Sequence, residues 1–115
     1  MLSTTPDISS SRIARITLCG EFDLFRKEEL AATLRQAEGA AVVVLDLAET
    51  TFVDATALSS LLVLRKKLRE SGGSVHVIGA RPHIRKLFAI TGIDKVFEIH
   101  DQAAPLLALE FGLRA

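Results

Sequence analysis

The run A-V-V-V-L-D-L, residues 41 to 47, constrains the fold more than any other stretch of the chain. Apolar, largely β-branched residues follow one another without polar alternation, the pattern of a strand covered on both faces and typical of the centre of a parallel sheet. Around it, strand and helix signals alternate with short punctuation between them, which indicates an α/β fold. Upstream, R-I-A-R-I-T-L over 12–18 sets Ile13, Ile16 and Leu18 among polar neighbours and predicts a strand ending at Cys19-Gly20. A short extended segment near residues 2–8 is a candidate edge strand or a flexible N-terminus. The stretch after G-E-F-D carries Leu30 and Leu34 four apart among strong helix formers, with Gly39 beyond it, and predicts a helix over 24–37.

Downstream of the central run, Leu58, Leu61, Leu62, Leu64 and Leu68 recur at helical spacing and predict a helix over 57–71. Ser71-Gly72-Gly73 stops it, and S-V-H-V-I-G predicts the next strand. Pro82 suits the first turn of a helix carrying Ile84, Leu87 and Phe88 and closed by Gly92, after which V-F-E-I, residues 96–99, predicts a short strand. Asp101 is placed to cap a final helix. No repeat, low-complexity tract or linker divides the chain, and 115 residues suit one domain over 1–115.

Composition narrows the function classes. Fourteen basic and fourteen acidic residues cancel, so no global charge favours nucleic acid or an anionic membrane. No apolar run approaches the roughly 20 residues that span a bilayer. The first residues lack a basic region followed by an apolar one, so the expected location is the cytoplasm. Cys19 is the single cysteine, which excludes an intrachain disulfide and a multi-cysteine metal site. His76, His83 and His100 lie in different predicted elements without metal-ligand spacing, so no metal site and no cofactor are expected. Neither a phosphate-cradling glycine loop nor a nucleophile motif occurs, and no enzymatic activity is expected.

The most informative junction is T-F-V-D-A-T-A-L, residues 51–58, where an apolar run meets the leucine helix. A helix N-terminus has backbone N–H groups without intrahelical partners and favours negative charge. Asp54 or Thr56 can cap it, worth about 1 kcal/mol. The same N–H groups would also stabilise a phosphorylated hydroxyl, whose added charge can repel a partner's acidic surface. Asp23 is the candidate N-cap of the first helix, and Phe25 is either a core residue or, if exposed, an interface anchor. The basic residues Arg65, Lys66, Lys67 and Arg69 share a helix with an apolar stripe and read as a solvated face.

This junction, followed by S-G-G, a strand, R-P-H-I-R-K-L-F and T-G-I-D-K-V-F, with G-E-F-D upstream, resembles the bacterial anti-sigma factor antagonists of the STAS domain family. The resemblance runs in order from about residue 12 to 100. It implies an α/β domain with a mixed, mainly parallel sheet of four to five strands flanked by about four helices, and an action by binding. It implies an anti-sigma factor as partner, one that in familiar members is also a serine kinase: the antagonist with an unmodified hydroxyl binds it and frees a sigma factor, and phosphorylation ends the binding. The partner-binding surface implied here comprises Asp23, Phe25, Asp54, Ala55, Thr56 and Leu58.

One position departs from the family pattern. The hydroxyl residue that commonly follows the aspartate and accepts phosphate is Ala55, which has no oxygen to modify. Thr56, one position along, is a candidate displaced acceptor, although a step of one residue turns a side chain about 100° around a helix. Three readings stay open: an antagonist that cannot be silenced by phosphate, an antagonist phosphorylated at Thr56, and a STAS subunit that docks on the ATPase of a lipid-transport ABC complex, where a threonine in the corresponding turn lies at the contact.

Overall fold

The computed structural model describes residues 13–100. The expected strand near 2–8 and the helix expected from Asp101 lie outside the described residues. The unalternated run forms β3 (Val42–Asp46), with β1 (Ile13–Thr17) on one side and β5 (Ser74–Ile78) on the other, both parallel to it. A short edge strand, β6 (Glu98–His100), pairs parallel with β5, giving the order β1-β3-β5-β6. A second, two-stranded parallel sheet joins β2 (Gly20–Phe22) to β4 (Thr50–Val53).

Among the described residues three α-helices cross between strands: α1 (Lys27–Arg35), α2 (Ala55–Glu70) and α3 (Pro82–Thr91). Their apolar stripes share one cluster, to which α1 contributes Leu30 and Leu34, α2 Leu58, Leu61, Leu64 and Leu68, and α3 Ile84 and Phe88. Residues of the same face of the sheet, Ile16, Val43, Leu45, Val75 and Val77, complete it. Each side chain of this size taken fully out of water contributes about 1.5–3 kcal/mol, and this burial holds the crossovers against the strands. Helix α3 starts with Pro82, whose missing N–H costs nothing there, and ends at Gly92 in the left-handed conformation, φ 78°.

Boundaries differ from the sequence expectation where caps decide them. The helix expected over 24–37 begins as a 3-10 turn, Leu24–Arg26, before α1 takes over at Lys27. The Asp23 carboxylate accepts the Phe25 N–H at 3.0 Å, and Arg26 leaves helical geometry at φ −109°, ψ 14°. Helix α2 begins two residues earlier than expected, because Asp54 caps it. Val96 and Phe97, expected in the last strand, instead close a 3-10 turn by donating to the Ile93 carbonyl, and β6 starts at Glu98. The three residues of β2 carry no alternation, and no strand is expected there from the sequence.

Candidate partner-binding site

The site is built where the small sheet meets α2. Asp54 lies in extended geometry, φ −108°, and its Oδ1 accepts the Ala57 N–H at 2.9 Å. Its carbonyl accepts the Leu58 N–H at 3.0 Å and closes the first helical turn. The N–H groups of Ala55 and Thr56 are left without intrahelical acceptors. Ala55 is exposed and Thr56 half-buried. Ala57 is buried and helical, so no left-handed residue is needed at this turn. The Thr56 carbonyl accepts the Ser60 hydroxyl at 3.3 Å.

The loop that carries Asp23 and Phe25 is fixed to this turn. The Asp54 N–H donates to the Phe22 carbonyl at 3.1 Å, and β2 pairs with β4 in the register Phe22↔Val53. Phe22 and Val53 are buried, so both strands are anchored from beneath. Their polar neighbours Asp23 and Asp54 thereby follow a paired position on adjacent strands and cap the Leu24–Arg26 turn and α2. Phe25, next to the first cap, is 92% exposed, and its neighbour Leu24 is 61% exposed. An aromatic ring so uncovered costs solvation free energy and is available as an interface anchor.

Arg26 holds the loop in shape, a role the sequence reading did not find. Its Nη1 donates to the Glu21 carbonyl at 2.8 Å, and its guanidinium stands 4.6 Å from the centroid of the Phe22 ring. Gly20 sits opposite at φ 94°, in the left-handed region, and a Cβ there would come within 3.1 Å of Arg26 Nη1. The sequence signal was available in the glycine of G-E-F-D, but the arginine six positions later has no local pattern. Cys19, Gly20, Glu21, Asp23, Phe25, Arg26 and Thr51 line an open groove beside the turn.

Of the six surface residues expected from the sequence, five come together on this surface: Asp23, Phe25, Asp54, Ala55 and Thr56. Leu58 does not, because at 6% exposure it belongs to the core. It supports the turn from beneath. The opposite end of the small sheet is tied to α3, where the His83 ring pairs with the Thr51 carbonyl at 2.7 Å and Arg81 donates to the Ala48 carbonyl at 2.9 Å.

The histidines do not stay apart as their separate elements suggested. Parallel pairing of β5 with β6 sets His76 opposite Glu98 and Ile78 opposite His100. His76 Nδ1 lies 3.1 Å from His100 Nε2, and His76 Nε2 lies 3.1 Å from the Ser74 hydroxyl. Burial pushes the His76 imidazole below its ordinary value of 6.5, while the Glu98 carboxylate pulls upward and His100 adds a further downward push.

Comparison with known proteins agrees with this architecture. A family model described as "Mlab, STAS domain" matches residues 8–107. A candidate anti-sigma factor antagonist of Bordetella bronchiseptica, BtrV, is 32% identical over 71 residues, covering 62% of this chain and 60% of that protein. The anti-sigma-B factor antagonist of Staphylococcus epidermidis is 28% identical over 85 residues, covering 71% of this chain and 78% of that one. The crystal structure of an anti-sigma factor antagonist from Mycobacterium paratuberculosis superposes with a TM-score of 0.81 at 22% identity, covering 95% and 93% of the two chains. The chain belongs to the STAS domain family.

Proposed function

We propose that this protein is an anti-sigma factor antagonist: it binds an anti-sigma factor through the Asp54–Thr56 turn and the Gly20–Phe25 loop, and so frees a sigma factor. The observation that carries the reading is Phe25, 92% exposed beside a turn to which its loop is tied by the Asp54–Phe22 backbone bond. Asp23, whose carboxylate caps the Phe25 N–H, and the polar start of α2, joined to this loop by the Asp54–Phe22 bond, would supply a polar rim beside that anchor. The relatives' names as anti-sigma factor antagonists support the partner class. No helix among the described residues is long and apolar enough to cross a membrane.

In this reading the binding is not ended by phosphate on the residue after Asp54, because Ala55 offers no oxygen. Release then depends on partner abundance, since a ligand shifts an equilibrium only as far as it distinguishes two states. A second reading, docking on the ATPase of a lipid-transport ABC complex, is favoured by Thr56, the one hydroxyl in the 54–57 turn and half-buried there. Affinity capture on the immobilised protein from source cells, with Phe25→Ala as control, separates the two. Recovery of an anti-sigma factor by the wild type and its loss in the variant supports the proposal, and recovery of an ABC ATPase alone overturns it.

A further inference from the structure

From the juxtaposition of His76, Glu98 and His100 on β5 and β6, we propose a divalent transition-metal site, suited to zinc, on the face of the sheet turned away from α1, α2 and α3. One ligand atom from each of the three residues lies within 4.8 Å of the others. The two imidazoles present nitrogens to one another at 3.1 Å. Two ligands on one tetrahedral zinc, at bonds of about 2.0–2.1 Å, stand about 3.3 Å apart, so the histidine pair is already near the required bite. The rings are held there by the strand register, His76 from β5 and His100 from the second residue beyond its partner Glu98 on β6.

Each donor has a distinct part. His76 is the fixed ligand: it is 6% exposed, and Ser74 holds its Nε2 at 3.1 Å, which leaves Nδ1 as the nitrogen directed at His100. That outer partner fixes ring orientation in the way metal-bound histidines are commonly fixed. Glu98 is the adjustable ligand: its side chain is 64% exposed, and its Oε2, 3.9 Å from the Nε2 that Ser74 holds, would have to turn toward the Nδ1 side to join an ion. Two neutral imidazoles and a carboxylate form a donor set for a borderline ion and leave a fourth position for water. The competing cations nearby are Arg65 and Arg69, which line a groove with Glu98 and Ser74. Arg65 is already committed to the Val96 carbonyl at 2.7 Å.

The consequence is mechanical. Strand β6 has three residues and, among the described residues, pairs only with β5. A metal bridging His76 to Glu98 and His100 would clip this edge strand to the sheet.

The test uses tag-free full-length protein stripped with a chelator and titrated with zinc chloride against a chromophoric zinc indicator, alongside thermal melts and amide hydrogen exchange. The expected result is one zinc per chain, a raised melting temperature and slowed exchange in β6. His100→Ala should weaken binding at least about tenfold and abolish the thermal shift. Glu98→Gln alters an exposed side chain, so it keeps the inference testable if the histidine variant folds poorly, and it should weaken binding in the same direction. His83→Ala, outside the cluster, should bind as wild type does. Failure of the wild type to take up zinc at micromolar concentration overturns the site, as does a His83→Ala loss equal to that of His100→Ala.

Discussion

The two faces of strands β3 and β5 are made from neighbouring residues and do opposite things. Val43, Leu45, Val75 and Val77 point into the cluster shared by all three α-helices, whereas Val44, His76 and Ile78, interleaved with them, point away. The first face is apolar throughout and held by packing. On the second, a small patch of Val42, Val44 and Ile78 borders an imidazole pair and a carboxylate. A continuous β-branched run therefore announces that both faces are covered, but not that they are covered by the same chemistry.

The sharpest way to break this comparison is to remove volume from the packed face. Leu45 is fully buried there, and Leu45→Ala should cost about 2–5 kcal/mol of unfolding free energy, lost contacts plus the cavity left behind. Urea denaturation reads it directly. A cost near that of a surface change would mean that the helices do not pack on this face as described.

Next in size is a change that should leave stability alone. Phe25→Ala removes a ring that is 92% exposed and should cost partner affinity at least about 2 kcal/mol, with a denaturation midpoint within about 0.5 kcal/mol of wild type. Calorimetric titration against the captured partner measures the first quantity and urea the second. A stability loss with unchanged affinity would move Phe25 from the interface to the fold. Smaller again is Asp54→Ala, which deletes the acceptor of the Ala57 N–H and should cost about 1 kcal/mol of stability. Asp54→Asn restores an acceptor at that position and should recover most of it.

These expectations also show which parts of the molecule were legible in the chain. Helix α2 and strand β3 could be read because their burial is written as a period or an unbroken run, and the cap at Asp54 because it stands just ahead of a leucine stripe. Phe25 could be named but not placed, since the same residue serves as a staple or an anchor until the fold shows its exposure. Leu58 looks like a surface residue from its neighbours in the turn, yet the helix turns it inward at 6% exposure. Strand β2 was invisible because three residues cannot show alternation, and its identity comes from pairing with β4, about 30 positions away in the chain. The His76–His100 pair was missed for the same reason. Motif spacing detects ligands close in sequence, whereas the parallel register of β5 and β6 joins residues with a helix between them.

The subtlest prediction tests the polar face through its buried imidazole, in chelator-treated protein so that protons are the only ligand. Burial lowers the His76 pKa in the folded state, with Glu98 opposing and His100 reinforcing. The unfolded chain, with an ordinary value near 6.5, therefore takes up the proton first as pH falls. Stability contributed by the neutral ring is fully present above that value, declines as pH drops below it, and stops changing once pH lies below the folded pKa. The effect should be the smallest of the four because the nearby carboxylate partly offsets the burial. Urea unfolding from about pH 8 down to about pH 5 should show this decline, and His76→Gln should flatten it, since glutamine does not titrate in that window. A wild-type curve that rises toward acid would mean that the Glu98 carboxylate outweighs burial at His76, and that this face of the sheet is held by an ion pair rather than by a neutral hydrogen-bonded ring.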